Sequence, residues 1–170
     1  MRGLKYMGTL IGSAAMVAGV VGMAVGVAPA SAAPQSSPGV TLAIGDDPAN
    51  PANYVLMVRG TFPMSEGDAR DRLSHLAGGG GMDYVVYADD PGENDGVIGM
   101  PHGYLGAPGP AGGHLIPVPN GLNFFRQISV PKDDLDEDDG TDEVYVKVRF
   151  VPGNGAGDLR AYTQPISGGF

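Results

Sequence analysis

From Val144 to Phe150 apolar and polar residues alternate without a break: Val144, Val146, Val148 and Phe150 in one series, Tyr145, Lys147 and Arg149 in the other. Successive side chains of a strand point to opposite faces, so this two-residue period marks a strand with one face in a core and one in water. Tyr54 to Phe62 repeats the pattern. Tyr54, Leu56, Val58 and Phe62 share one face across Gly60, and Val55, Met57, Arg59 and Thr61 share the other, which reads as a central strand. Met82–Ala88 and Leu122–Val130 are further strands, the latter apolar on both faces. Val40, Leu42 and Ile44 alternate as a short edge strand. Residues 152–158 form a turn, after which Leu159–Ile166 returns as a hairpin partner.

Residues 89–121 hold nine glycines and six prolines, a composition that cannot form one regular element and is expected to be a long loop. Short strands are expected inside it around Val97–Ile98 and Leu115–Ile116. The immediate repeat Pro48-Ala49-Asn50, Pro51-Ala52-Asn53 marks a turn-rich connection.

Residues 66–77 carry the one helical pattern. Ser65 stands three before Asp68 as a variant capping box, and Ala69, Leu73, Leu76 and Ala77 fall on one stripe. Glu66–Arg70 and Asp68–Arg72 have the favourable i,i+4 order. Gly78 ends the helix, and Gly78–Gly81 is expected to be a hinge. The pattern therefore predicts a mostly β fold: a single antiparallel β-sandwich or open barrel with one short helix.

The N-terminus predicts export. Arg2 and Lys5 precede a run from Met7 to Val27 made only of apolar residues, Gly, Ser and Thr, and Ala28-Pro29-Ala30-Ser31-Ala32 follows. Charge, apolar run and alternating small residues are the layout of a cleaved signal peptide, with cleavage expected after Ala32. The run approaches the roughly 20 residues that span a bilayer. However, five glycines interrupt it and no cationic stop follows. The expected organisation is a signal peptide at 1–32, a tail with an edge strand at 33–53 and the β domain at 54–170. No transmembrane segment is expected after cleavage.

With no cysteine the chain has neither disulfide nor lipid-anchoring thiol, so packing alone must hold the exported domain. The net charge is −9, and loss of Arg2 and Lys5 with the leader makes the mature part still more acidic. Such a surface repels phosphate backbones, which argues against nucleic-acid partners. Cationic or extracellular partners and metal ions are compatible with it.

The acidity is concentrated between Pro131 and Glu143, where eight of thirteen residues are carboxylates. Crowded carboxylates repel by about 1 kcal/mol per contacting pair in water, and a hard cation among them relieves this. Asp134, Asp136 and Asp138 have the one-three-five spacing of an EF-hand loop. The match then fails, because Asp139 stands where glycine should turn the chain and Tyr145 where a bidentate Glu belongs. Two readings follow: a solvated loop that aids solubility and discourages edge pairing, or a looser calcium site built on Asp134, Asp136, Asp138 and Asp139. Asp89, Asp90, Glu93 and Asp95 would join such a site if the fold brought them alongside.

Other chemistry has weak support. His75 falls at the helix end, where the macrodipole accounts for it. His102 and His114 lie in the glycine-rich stretch without a zinc-ligand context. There is no nucleophile elbow, and Gly78–Gly81 has no lysine with which to cradle phosphate. Tyr84, Tyr87, Tyr104, Tyr145, Tyr162, Phe124 and Phe125 are candidates for a recognition surface, with Tyr87, Tyr145 and Tyr162 expected to face away from the core. The leading expectation is a non-enzymatic exported binding or interaction module. The alternatives are a small secreted hydrolase using His102 or His114 with loop carboxylates, and a structural envelope protein.

Overall fold

The two-residue periods become pairing register. A computed structural model describes residues 35–88, 96–105, 112–136 and 141–170, with 96–105 described by its backbone; the expected leader lies outside them. In chain order the strands are β1 (Thr41–Asp46), β2 (Asn53–Pro63), β3 (Gly81–Ala88), β4 (Gly96–Leu105), β5 (Gly113–Val118), β6 (Gly121–Pro131), β7 (Asp142–Val151), β8 (Leu159–Tyr162) and β9 (Ile166–Gly168). One helix, α1 (Glu66–Ser74), lies between β2 and β3. All the pairings are antiparallel and make two sheets. The first has the order β1-β2-β6-β5; the second has β4-β3-β7-β8, with β9 also paired to β7. Among the described residues no helix is long and apolar enough to cross a membrane.

A single buried cluster draws on both sheets. Leu56 and Val58 of β2 and Phe124, Ile128 and Val130 of β6 join Tyr84 and Val86 of β3 and Val144, Val146, Val148 and Phe150 of β7. Phe124 connects the two directly: its ring centroid is 5.0 Å from Phe62 in its own sheet and 6.4 Å from Tyr84 in the other. Gly60 is the size this packing requires, since a Cβ there would lie 2.6 Å from Phe124 Cζ. Burial pushes the Tyr84 hydroxyl well above the ordinary phenol range.

The glycine- and proline-rich stretch is more regular than its composition predicts. It holds two whole strands, β4 and β5, and each is the outer strand of its sheet. An edge position tolerates Pro101 and Pro117, because a proline there forfeits no bond to a second neighbour. In β4 the register moves from Ile98 opposite Val86 to His102 opposite Tyr84, so Gly99–Pro101 lie in an irregularity of the ladder.

The tail is docked. Ser37 N–H donates to Tyr162 O at 2.9 Å and Tyr162 N–H donates to Ser37 Oγ at 3.1 Å, so β8 has a partner along its outer edge. Val40 then enters the core before β1 begins. In the turn after β1 each half of the repeat makes its own Asx turn: Ala49 N–H donates to Asp47 Oδ1 and Ala52 N–H to Asn50 Oδ1. The Ser129 hydroxyl and the Ala49 amide hold the Asp47 carboxyl below its usual range.

Helix α1 is shorter than its pattern predicts, ending at Ser74 rather than 77, with a tight 3-10 turn over Leu76–Gly78. Ser65 caps it as expected, accepting from Asp68 N–H at 3.1 Å; its hydroxyl donates back to the Asp68 carboxylate, which takes no part in a pair with Arg72. The pair Glu66–Arg70 forms. His75 closes the last turn, with its Nδ1 2.8 Å from the Asp71 carbonyl. Ala69 is buried, Leu73 and Leu76 pack against the core, and Ala77 is exposed.

The glycines after the helix form a packed junction, not an open hinge. A Cβ on Gly78 would sit 2.5 Å from the Gly153 carbonyl oxygen, one on Gly80 2.6 Å from Gly153 N, and one on Gly153 2.0 Å from the His75 carbonyl oxygen. The end of α1 therefore lies backbone to backbone against the turn that follows β7.

Candidate functional site

The acidic segment begins where β6 ends. Lys132–Asp134 make a 3-10 turn in which the Lys132 carbonyl accepts from both Leu135 and Asp136 N–H. Leu135 is 0% exposed and joins the core, which anchors the turn, while Asp133, Asp134 and Asp136 face solvent. Lys132 is committed locally: Nζ lies 2.6 Å from Asp46 Oδ1 and 4.6 Å from the centre of the Tyr54 ring. The Asp46 carboxylate beside it holds the ammonium pKa above its usual value. Of the predicted metal ligands, Asp134 and Asp136 are therefore exposed on either side of a buried leucine, and Asp138 and Asp139 lie outside the described residues. Asp89, Asp90, Glu93 and Asp95 also lie outside them.

Near the end of the segment stands a residue that the EF-hand spacing does not reach. Asp142 opens β7, opposite Gly168 of β9, on the same face as Val144 and Val146. It is 2% exposed, and both carboxylate oxygens are buried without a hydrogen-bond partner among the described residues. The other such atom among the described residues is Nη1 of Arg72, which belongs to a half-buried side chain. Burying an ionised carboxylate without compensation costs several kcal/mol, and buried charges are ordinarily paired, protonated or bound to metal. The next acid, Glu143, accepts from Ser167 Oγ at 2.8 Å. Ala88, the last residue before the first acidic segment, pairs with Val144, two residues from Asp142. No three described His, Asp or Glu side chains group closely enough to hold an ion by themselves.

A sequence signal for Asp142 was available. The alternation Val144, Val146, Val148, Phe150 extended one step back lands on Asp142, so the period that defines β7 also places this carboxylate on the core face.

The wet faces of the sheets carry cross-strand rows. On the first sheet Thr41, Arg59, Phe125 and His114 are successive register partners across all four strands. Arg59 Nε donates to Thr41 Oγ1 at 3.2 Å, and the His114 and Phe125 rings are 5.6 Å apart. His114 Nε2 donates to Asn123 Oδ1 at 2.8 Å, and the Asn123 amide donates in turn to Gly60 O and Thr61 Oγ1. This histidine is held by the Asn123 amide, and among the described residues no carboxylate is its hydrogen-bond partner. His102 lies on β4 opposite Tyr84, and its side chain is outside the described structure.

On the second sheet Asp83, Arg149 and Arg160 are register partners, with Asp83 and Asp158 both pairing with Arg149. Together with Val85 and Lys147 they line a shallow depression. Tyr87 and Tyr145 stack with their rings 5.0 Å apart. Tyr145 lies outside the core cluster but is only 2% exposed, so it is not an open recognition residue. Tyr84 and Phe124 are core residues, which removes them from a recognition surface. Phe125 and Tyr162 are half-buried, and the side chain of Tyr104 is outside the described structure. Comparison with known protein families, curated proteins and solved structures finds no match to this chain.

Proposed function

We propose that the two sheets pack face to face as a β-sandwich, and that the chain is an exported, non-enzymatic binding or interaction module whose acidic segment takes calcium. The observation that carries the reading is the cross-strand row Thr41–Arg59–Phe125–His114: a half-buried aromatic between two donors, side by side on a sheet face backed by a dense core. Side chains fixed by register on a rigid scaffold suit recognition, since little ordering remains to be done when a partner arrives. Export rests on the leader pattern of residues 1–32. Calcium rests on the carboxylate density of 131–143, with Asp134, Asp136, Asp138 and Asp139 as the ligand set that spacing suggests.

Thermal melting of the mature chain tests the cation. A metal at about 100 times its dissociation constant stabilises the folded state by about 2.7 kcal/mol. For a domain of this size that raises Tm by roughly 5–10 °C. Extracellular calcium modules bind in roughly the 0.1–1 mM range, so the full rise is expected at about 10–100 mM calcium relative to chelator, and about 1 mM calcium gives at most roughly half of it. A Tm that does not move removes the ion from the reading.

A further inference from the structure

We propose that Asp142 is the buried anchor of a divalent-cation site for calcium at the start of β7. The inference rests on the calcium reading above and replaces its spacing-based ligands with a residue chosen by geometry. Four observations converge on it. Asp142 is 2% exposed, and among the described residues neither oxygen has a hydrogen-bond partner. It stands on the core face of β7, where Val144 and Val146 fix its direction by alternation. It is the last but one carboxylate of the densest acidic run in the chain. Lys132, the cation of that run, is already held by Asp46 and Tyr54.

An ionised aspartate in this position offers two hard oxygens and no donor, which fits a cation and not an anion. Calcium suits it better than zinc, since the chain has no cysteine and no described histidine joins an acidic group. No three described side chains surround one point, so water and main-chain carbonyls would complete the six to eight ligands that calcium takes. That composition points to a weak site, filled outside cells and empty at cytosolic calcium.

Tyrosine supplies a spectroscopic reporter. The chain has no tryptophan, and Tyr54 reaches this end of the fold through Phe170: the two rings are 5.9 Å apart, and Phe170 lies against Gly168, the register partner of Asp142. Terbium, an oxygen-seeking calcium substitute, should therefore emit on tyrosine excitation when it occupies the site.

The test is terbium emission and calcium-dependent melting in the mature chain and in Asp142→Asn, which keeps the shape and removes the charge. Expected for the parent chain are tyrosine-sensitised terbium emission that calcium displaces and a calcium-dependent rise in Tm. Expected for Asp142→Asn are loss of both responses and, in chelator, a Tm at or above that of the parent. If the amide is not accommodated, Asp142→Ser is read in the same way. A variant that folds and keeps the full calcium shift overturns the assignment to Asp142 while leaving calcium binding by the acidic segment standing. A parent chain with neither emission nor shift overturns both.

Discussion

Phe124→Ala should lower stability by about 3–5 kcal/mol, the usual cost of truncating a fully buried phenylalanine. In thermal unfolding this is a fall in Tm of about 6–20 °C, and the loss is a large share of the roughly 5–15 kcal/mol that holds a domain together. The size of the effect follows from position. Phe124 is 0% exposed, touches Phe62 within its own sheet and Tyr84 across the core, and fills the space that Gly60 leaves open. Aromatic pairs of this geometry contribute about 0.5–1.5 kcal/mol beyond the area they bury. The neighbouring Phe125→Ala is the internal control. One residue on, the side chain leaves the core for the wet face, and the expected loss is about 1 kcal/mol. Equal losses at the two positions would mean that the register of β6 is not the one described.

Gly153→Val should destabilise by about 3 kcal/mol, at the upper end of the cost of overpacking. The first added atom alone would sit 2.0 Å from the His75 carbonyl oxygen, and backbone cannot give way as a flexible side chain can. Two other glycines calibrate the result. Gly79 has φ 96° with open space around it, so Gly79→Ala pays only for the left-handed backbone, roughly 1 kcal/mol. Gly157 has neither restraint, and Gly157→Ala should be neutral or slightly stabilising. A hinge at Gly78–Gly81 would instead accept Gly153→Val with little loss. The unfolding midpoints of the three variants in urea separate these outcomes.

The junction shows why some of the fold is legible in the residues and some is not. Strands β2, β3, β6 and β7 announce themselves because alternation is local: Leu56 and Val58, or Val144 and Val146, need no knowledge of their partners to declare a face. The packing of Gly78 and Gly80 on Gly153 depends on a contact some seventy-five residues away along the chain. Nothing nearby in sequence distinguishes such a glycine from a flexible one. Composition misleads in a related way over 96–118, where Gly99, Pro101 and Pro117 look like loop residues but sit in outer strands whose pairing comes from β3 and β6. Helix α1 stops early for a local reason, since His75 turns back onto the Asp71 carbonyl and the chain tightens over Leu76–Gly78.

At the acidic segment, charge density and EF-hand spacing point to Asp134, Asp136, Asp138 and Asp139, of which the first two are exposed and the other two lie outside the described residues. Asp142 was visible through the same alternation that revealed β7, one step before its first valine. Its missing partners were not, because satisfaction of a buried carboxylate is a property of everything packed around it.

The proposed sandwich, with its two wet faces and the buried carboxylate at one end, requires two sheets closing over one core without a covalent staple. Amide hydrogen exchange followed strand by strand measures that closure most directly. Amides of β2, β6, β3 and β7 should share one slowest rate, set by global unfolding, with the outer strands β1, β4 and β5 exchanging sooner through local opening. If β3 and β7 instead open at a distinctly lower free energy than β2 and β6, each sheet is standing on its own, and the common core described here is contradicted.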